Sequence, residues 1–303
     1  MNIKRDIPKN IYLTYKTKNI PNRILERWRL LNPNYKIEIS DDKDCYEFIE
    51  KHFGLFLAEL FKKIPIGMYK ADLWRLCKLY INGGIYADVD LVPYTSINNI
   101  LNKYSNNTFI TCLSAYNNSC FQAILISTAY NPILIECIKL LVKNKSWNND
   151  NGPTYDMYKV ISNSLSNIKL QPSINYSLKN YRIIYNTEFN KNKLNRIYLY
   201  APINNDIINN IIIMNFNKSD FNLIIKDNYL FIKYIKKDNK LINNIKIIIE
   251  FNYKNNIYLF QEKNKIYGGN DILDFYVDDR GSKLFDSRDE NYHISKSNNS
   301  NWN

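Results

Sequence analysis

The stretch that most constrains this chain is residues 66–91, IGMYKADLWRLCKLYINGGIYADVDL. Tyr69, Leu73, Leu76 and Tyr80 recur at i, i+4, i+7 and i+11, the spacing of a single helical stripe facing a core. Gly83-Gly84 ends the helix, because glycine accepts the left-handed backbone of a C-terminal cap. Ile85-Tyr86-Ala87 is then a short hydrophobic strand, and Asp88-Val89-Asp90 follows at its exit, ahead of Pro93. A helix that turns back through two glycines into a strand returns the chain toward its own face. Asp72 and Arg75, three apart on neighbouring parts of that helix, are thereby carried toward Asp88 and Asp90.

Each part of this string has a plain structural alternative. A second D-x-D, Asp42-Lys43-Asp44, has the form of acidic decoration in the first turn of a helix, where the helix dipole favours it. Asp88-Val89-Asp90 differs in context, since strand formers precede it and a proline closes the run. It describes equally well a solvated turn or a cation site, because two close carboxylates repel and a divalent cation relieves that repulsion beside a diphosphate. Asp72 and Arg75 taken alone form an exposed i,i+3 pair, contributing roughly 0.2–0.5 kcal/mol. Only the fixed string behind them makes convergence of the four charges the expectation.

Around this string the first half alternates strand and helix. Residues 10–15 form a buried strand, 22–31 a helix stopped before Asn32-Pro33, and 35–39 a second strand. One helix is expected over 43–62, strands over 108–113 and 121–127, a helix from Asn131-Pro132 to about 143, and another from Gly152-Pro153 to about 165. That order predicts an α/β sheet. From about 180 the texture changes to β-prone runs such as RIIY, IIIM, YLFIKYI and NIKIIIEF, separated by Asn/Lys/Asp-rich turns that suggest antiparallel hairpins.

Composition removes several function classes. The chain has 303 residues, 41 basic against 29 acidic, for a net charge of +12. Such a balance can attract nucleic acid or a phosphorylated ligand. Its cations are scattered lysines, however, and the densest run, 226–265, holds nine Lys beside Asp227, Asp238, Glu250 and Glu262. Heavy use of Ile, Asn and Lys points to AT-rich coding bias as the source of the charge, so no nucleic-acid partner is expected. Five widely spaced cysteines with no CxxC pair indicate buried free thiols rather than a zinc site or a disulfide framework. No apolar signal core and no run approaching roughly 18 apolar residues is present, which predicts a soluble, cytoplasmic protein without a membrane span.

The pattern D-x-x-R, x-x-L, G-G-x-Y-x-D-x-D, carried by Asp72, Arg75, Leu79, Gly83, Gly84, Tyr86, Asp88 and Asp90, resembles the sugar-binding region of glycosyltransferase family 32. It is also similar to the clostridial glucosylating toxins. Residues 7–15, IPKNIYLTY, look like the family's opening strand, with Tyr12 in place of its His and Tyr15 in place of its Trp. Asn32-Pro33-Asn34-Tyr35 resembles its next step; the likeness thins around Gly152-Pro153 and fades after 180.

The resemblance implies a GT-A fold, a Rossmann-like nucleotide-sugar-binding sheet with a β-rich C-terminal elaboration. It implies a nucleotide-sugar donor (a UDP-hexose or GDP-mannose), Mn²⁺ or Mg²⁺, and transfer with retention to a glycan, lipid or protein acceptor. Asp90 would then ligate the metal, with Asp88 supporting it and reaching the donor. Asp72 and Arg75 would hold donor-sugar hydroxyls, Tyr86 would position the donor and Tyr15 would stack on the base. A late metal ligand is implied too, with His293 and Ser300 as candidates, followed by Trp302 closing over the donor. The corresponding division is 1–180 as the nucleotide-sugar core, 181–278 as an acceptor-side elaboration of the same domain, and 279–303 as a polar tail. Two rival readings stand beside this one: a catalytically silent nucleotide-sugar-binding relative and a basic nucleic-acid-binding protein.

Overall fold

The computed structural model describes residues 6–114, 118–149, 152–267, 271–277 and 282–286, with backbone alone for 263–277. The chain opens with β1 (Asn10–Thr14), α1 (Asn22–Leu31), β2 (Lys36–Ser40), α2 (Asp42–Phe53), α3 (Leu55–Lys63), α4 (Gly67–Asn82) and β3 (Gly84–Ala87). It continues through β4 (Val92–Pro93), α5 (Ile97–Lys103), β5 (Phe109–Leu113), β6 (Cys120–Ser127), α6 (Pro132–Asn144), α7 (Gly152–Ser164) and β7 (Asn175–Leu178). The remainder is β: β8 (Tyr181–Glu188), β9 (Asn195–Tyr198), β10 (Ile208–Ile213), β11 (Phe221–Lys226), β12 (Tyr229–Tyr234), β13 (Asn244–Phe251), β14 (Asn255–Tyr267), β15 (Asp271–Val277) and β16 (Lys283–Asp286).

The main sheet runs β2-β1-β3-β6-β5-β14-β15-β16-β4, with β7 on the flank of β14. β1 is parallel to β2 and β3, and β5 is parallel to β14. β6 lies antiparallel between β3 and β5, so β2, β1, β3, β5 and β14 share one direction. This is the expected α/β architecture, built on a mixed sheet. Alternation along the strands divides the core in two. Ile11 and Leu13 of β1 and Ile85 and Ala87 of β3 face Trp28 of α1 and Ile97 and Ile100 of α5. Tyr12 and Tyr86 point the other way, into the core built on α2, α3, α4, α6 and α7.

The helix expected over 43–62 is two helices. Gly54, at φ +86, ends α2 and starts α3, a backbone that L side chains rarely adopt. In α4 the single buried stripe proves too narrow an expectation: every residue from Asp72 to Tyr80 is buried. The helix lies between β3 and β6 on one side and α2, α3 and α6 on the other. The D-x-D of α2 is local decoration. Asp41 and Asp44 form a reciprocal capping box, and Asp42 and Asp44 pair with Lys70 and Lys18. All five cysteines are buried free thiols.

The β-rich part from 181 divides between two places. Residues 181–251 build two three-stranded antiparallel sheets, β10-β13-β8 and β11-β12-β9. β14 to β16 instead extend the main sheet, because Ile257–Gln261 pair in parallel with Phe109–Leu113 of β5. The two small sheets are fastened at the C-terminal ends of α2 and α4. Tyr80 Oη donates to the Pro202 carbonyl at 2.7 Å, and Asn228 Nδ2 and Tyr198 Oη both donate to the Phe53 carbonyl. Asp88 lies beyond the opposite end of β3.

Candidate active site

The carboxyl ends of β2, β1 and β3, at Ser40, Thr14 and Ala87, lie along one edge of the sheet, the edge where open α/β sheets bind ligands. The double glycine sets the approach of α4 to that sheet. Gly83 and Gly84 have φ of +63 and +105, and an added Cβ would lie 2.7 Å from the Ala129 amide nitrogen and 2.8 Å from the Asn10 carbonyl oxygen respectively. Only glycine permits the chain to pass this close to β1 and to the end of β6. β3 then runs back along α4, so Tyr86 and Asp88, two apart, reach the helix face that carries Arg75.

Arg75 is the hub. Its Nη2 lies 3.3 Å from both Asp72 Oδ1 and Asp88 Oδ1, so one guanidinium nitrogen bridges helix and strand. Nη1 donates to the Gln122 carbonyl at 2.7 Å, and Nε donates to the Ala71 carbonyl at 3.2 Å. The guanidinium carbon sits 4.4 Å from the centroid of the Tyr86 ring. Tyr86 Oη donates to Asp88 Oδ1 at 2.7 Å. The Asp88 amide donates to the Ala123 carbonyl, which fixes the turn to β6.

Burial makes this cluster unlike a surface ion pair. The side chains of Arg75 and Asp72 are 6% and 11% exposed, whereas Asp88 is 29% exposed and opens toward solvent. Loss of water raises the Asp72 carboxyl to about 6; Arg75 pulls it back down and Asp88 pushes it further up. Burial also raises Asp88; Arg75 opposes that rise, and the nearby charge of Asp90 adds to it. Burial works against the positive charge of Arg75, but Tyr86, Asp88, Asp72 and Asp90 outweigh it and hold that charge firmly.

Asp72, Arg75, Tyr86 and Asp88 are therefore joined directly, and half-buried Asp90 adds its charge to them. Tyr15 reaches the same edge, one residue beyond β1, with its amide donating to the Ser40 carbonyl at 3.1 Å. Its ring packs on the core of α1 and α5, the face of the sheet opposite Arg75. His293, Ser300 and Trp302 lie outside the described residues.

Sequence reasoning missed Gln122. Besides its carbonyl bond to Arg75, its Nε2 donates to the Pro153 carbonyl at 2.9 Å, tying β6 to the start of α7. Its Oε1 is buried without a hydrogen-bond partner. The signal was present in CFQAILIS, where one amide interrupts an apolar strand.

Asp88 and Asp90 provide two close carboxylates whose repulsion a cation would relieve. Among the described residues no group of three or more His, Cys, Asp or Glu converges on a possible metal position. Mg²⁺-type sites commonly use one or two carboxylates and take their other oxygens from substrate phosphates and water. The residues present fit that kind of site.

Comparison with known proteins agrees on this region. Residues 21–107 match the family model described as the glycosyltransferase sugar-binding region containing a DXD motif. This bears out the resemblance read from the motif. The chain is 34% identical over 97 residues to an initiation-specific alpha-1,6-mannosyltransferase of Candida albicans, covering 29% of this chain and 25% of that protein. It is 36% identical over 91 residues to a mannosyl phosphorylinositol ceramide synthase of Saccharomyces cerevisiae, covering 28% and 22%. The chain thus spans about a quarter of the length of these relatives. A solved structure of the PaToxG glycosyltransferase aligns with a TM-score of 0.40 at 17% identity, over 53% of this chain and 70% of that one.

Proposed function

We propose that this chain, whose residues 21–107 carry the DXD glycosyltransferase sugar-binding region, is a metal-dependent, retaining glycosyltransferase of the GT-A type that uses a nucleotide-sugar donor. The observation that carries the reading is the buried Asp72–Arg75–Asp88 cluster at the carboxyl edge of the parallel strands. A mannosyl donor, GDP-mannose, is the first choice, because both relatives described above are named for mannosyl groups. A glycan or an inositol-phosphate lipid is the matching acceptor class on the same ground.

The chemistry assigned to each residue follows from its surroundings. Asp72, nearly enclosed, accepts hydrogen bonds from donor-sugar hydroxyls. Asp88 and Asp90 would hold Mn²⁺ or Mg²⁺, which when bound would supply positive charge to a diphosphate leaving group. Arg75 acts mainly by position. Its N–H groups are engaged by Ala71, Gln122, Asp72 and Asp88, so it fixes both carboxylates while placing positive charge beside the leaving group. The carboxylates of the cluster are committed to Arg75, Tyr86 or the metal position. With those carboxylates engaged, the cluster offers no spare one as nucleophile or base, which supports front-face transfer with retention.

Thermal unfolding against a panel of nucleotide sugars with Mn²⁺ tests the reading. A ligand that binds only the native state raises stability by mass action, and about a hundredfold excess over Kd adds about 2.7 kcal/mol. GDP-mannose should give the largest rise, and Asp90→Asn should remove it without lowering the stability of the free protein. A panel that shifts nothing, or a shift unaffected by chelator, would overturn the assignment.

A further inference from the structure

The small sheet β11-β12-β9 buries one face in the core and leaves the other exposed. Ile197, Leu230 and Ile232 point inward. On the outward face the register forms ordered rows. Tyr198, Tyr229 and Lys226 lie side by side, then Arg196, Phe231 and Ile224, then Lys233 and Asn222. Phe56, at the start of α3, extends the first row, its ring 5.4 Å from Tyr198. The face carries open apolar side chains: Ile224 is 53% exposed, Tyr229 36%, and Phe56 beside Tyr198 59%. Its cations, Arg196, Lys226 and Lys233, sit across from Phe231, Tyr229 and Asn222 in the register, not from carboxylates.

We propose that this face docks peripherally on an anionic lipid bilayer. Exposed apolar side chains interspersed with Arg196, Lys226 and Lys233 match such a surface. Side chains of this kind enter the boundary between headgroups and acyl chains, and each lysine or arginine adds attraction to anionic headgroups. Single-stranded nucleic acid fits less well, because bases need aromatic faces laid open in series. Here the rings pack against one another, Phe56 on Tyr198 at 76° and Tyr198 on Tyr229 at 56°. Ile224 offers no stacking surface but can enter a lipid layer. The face belongs to the sheet β11-β12-β9 and the start of α3, and does not depend on the transferase reading.

Flotation of the full chain with vesicles of phosphatidylcholine, alone or with added phosphatidylserine, tests the proposal. Binding is expected only to the anionic vesicles and should weaken with salt, as the screening length shrinks from about 10 Å at 0.1 M. Lys226→Glu with Lys233→Glu should lower the partition coefficient by more than about tenfold. Phe56→Ser with Ile224→Ser should also lower it, since these exposed side chains are not needed for folding; unchanged thermal unfolding confirms that. Lys9→Glu with Lys36→Glu, exposed elsewhere, controls for net charge and should leave most of the binding intact. Equal binding to neutral vesicles would overturn the proposal. So would equal losses in the control pair, or binding of a single-stranded RNA oligonucleotide through the same residues without vesicle binding. Nucleotide-sugar thermal shifts measured on the same variants should be unchanged, so failure of this proposal and failure of the transferase reading are told apart.

Discussion

Asp72→Asn should make this protein more stable at pH 8 while depriving it of activity. Burial lifts the Asp72 carboxyl from 3.8 to about 6, even with Arg75 pulling the other way. The folded protein thus holds this proton more tightly than the unfolded chain. The group's contribution to stability is greatest below 3.8 and is lost as pH rises through about 6. At about 1.4 kcal/mol for each decade of proton affinity, the ionised carboxylate costs up to ~3 kcal/mol at pH 8. Asparagine keeps the shape without the charge, and Arg75 retains Asp88 at 3.3 Å as its partner. With roughly 2 °C per kcal/mol for a chain of this size, Tm should rise by up to ~6 °C at pH 8. The gain should shrink toward zero by pH 4, where wild-type Asp72 is itself neutral. Scanning calorimetry of both proteins across that range, beside a donor-hydrolysis assay, makes the measurement. A lower Tm for the variant at pH 8, or a gap of the same size at both ends, would refute the electrostatic account of the site.

Three further outcomes are expected. Arg75→Lys keeps the charge but cannot span Asp72, Asp88 and two carbonyls at once, so steady-state assays should show turnover reduced by about 10²-fold or more; a surface pair would leave kcat intact and move stability by less than about 1 kcal/mol. Gly84→Ala forces a Cβ against the Asn10 carbonyl at φ +105 and should cost about 2–4 kcal/mol in urea unfolding, whereas Gly67→Ala, with open space around it in α4, should be neutral or slightly stabilising. An α-linked donor should give an α-linked first product by proton NMR, and a β-linked one would exclude front-face transfer.

Most of the fold around the site was legible because local chemistry dictates it. The 3.6-residue period of α4, the two glycines behind it and the short hydrophobic run of β3 are short-range signals, and each element formed within two residues of its expected limits. Asp41 and Asp44 were readable for the same reason, since a helix cap is completed within four residues. The break at Gly54 was missed because an amphipathic pattern can continue across a glycine, and only the φ of +86 stops the helix. The run from 181 gave its strands but not its partition. β14 has the same texture as β13, yet β14 pairs with β5, nearly 150 residues earlier, while β13 pairs with β8 and β10.

By itself the sequence determined which residues could carry charge to the end of β3, because helix and strand periods are local properties of the chain. The tertiary structure decided what those charges became. α4 is enclosed between sheet and helices, and that removes water from Asp72 and Arg75 and turns an ordinary i,i+3 pair into the centre of a site. It also brought in Gln122 and Ala123 of β6, whose carbonyls complete the cluster from a strand distant in sequence. Desolvation and long-range pairing depend on the whole packed chain, and no window of residues contains them.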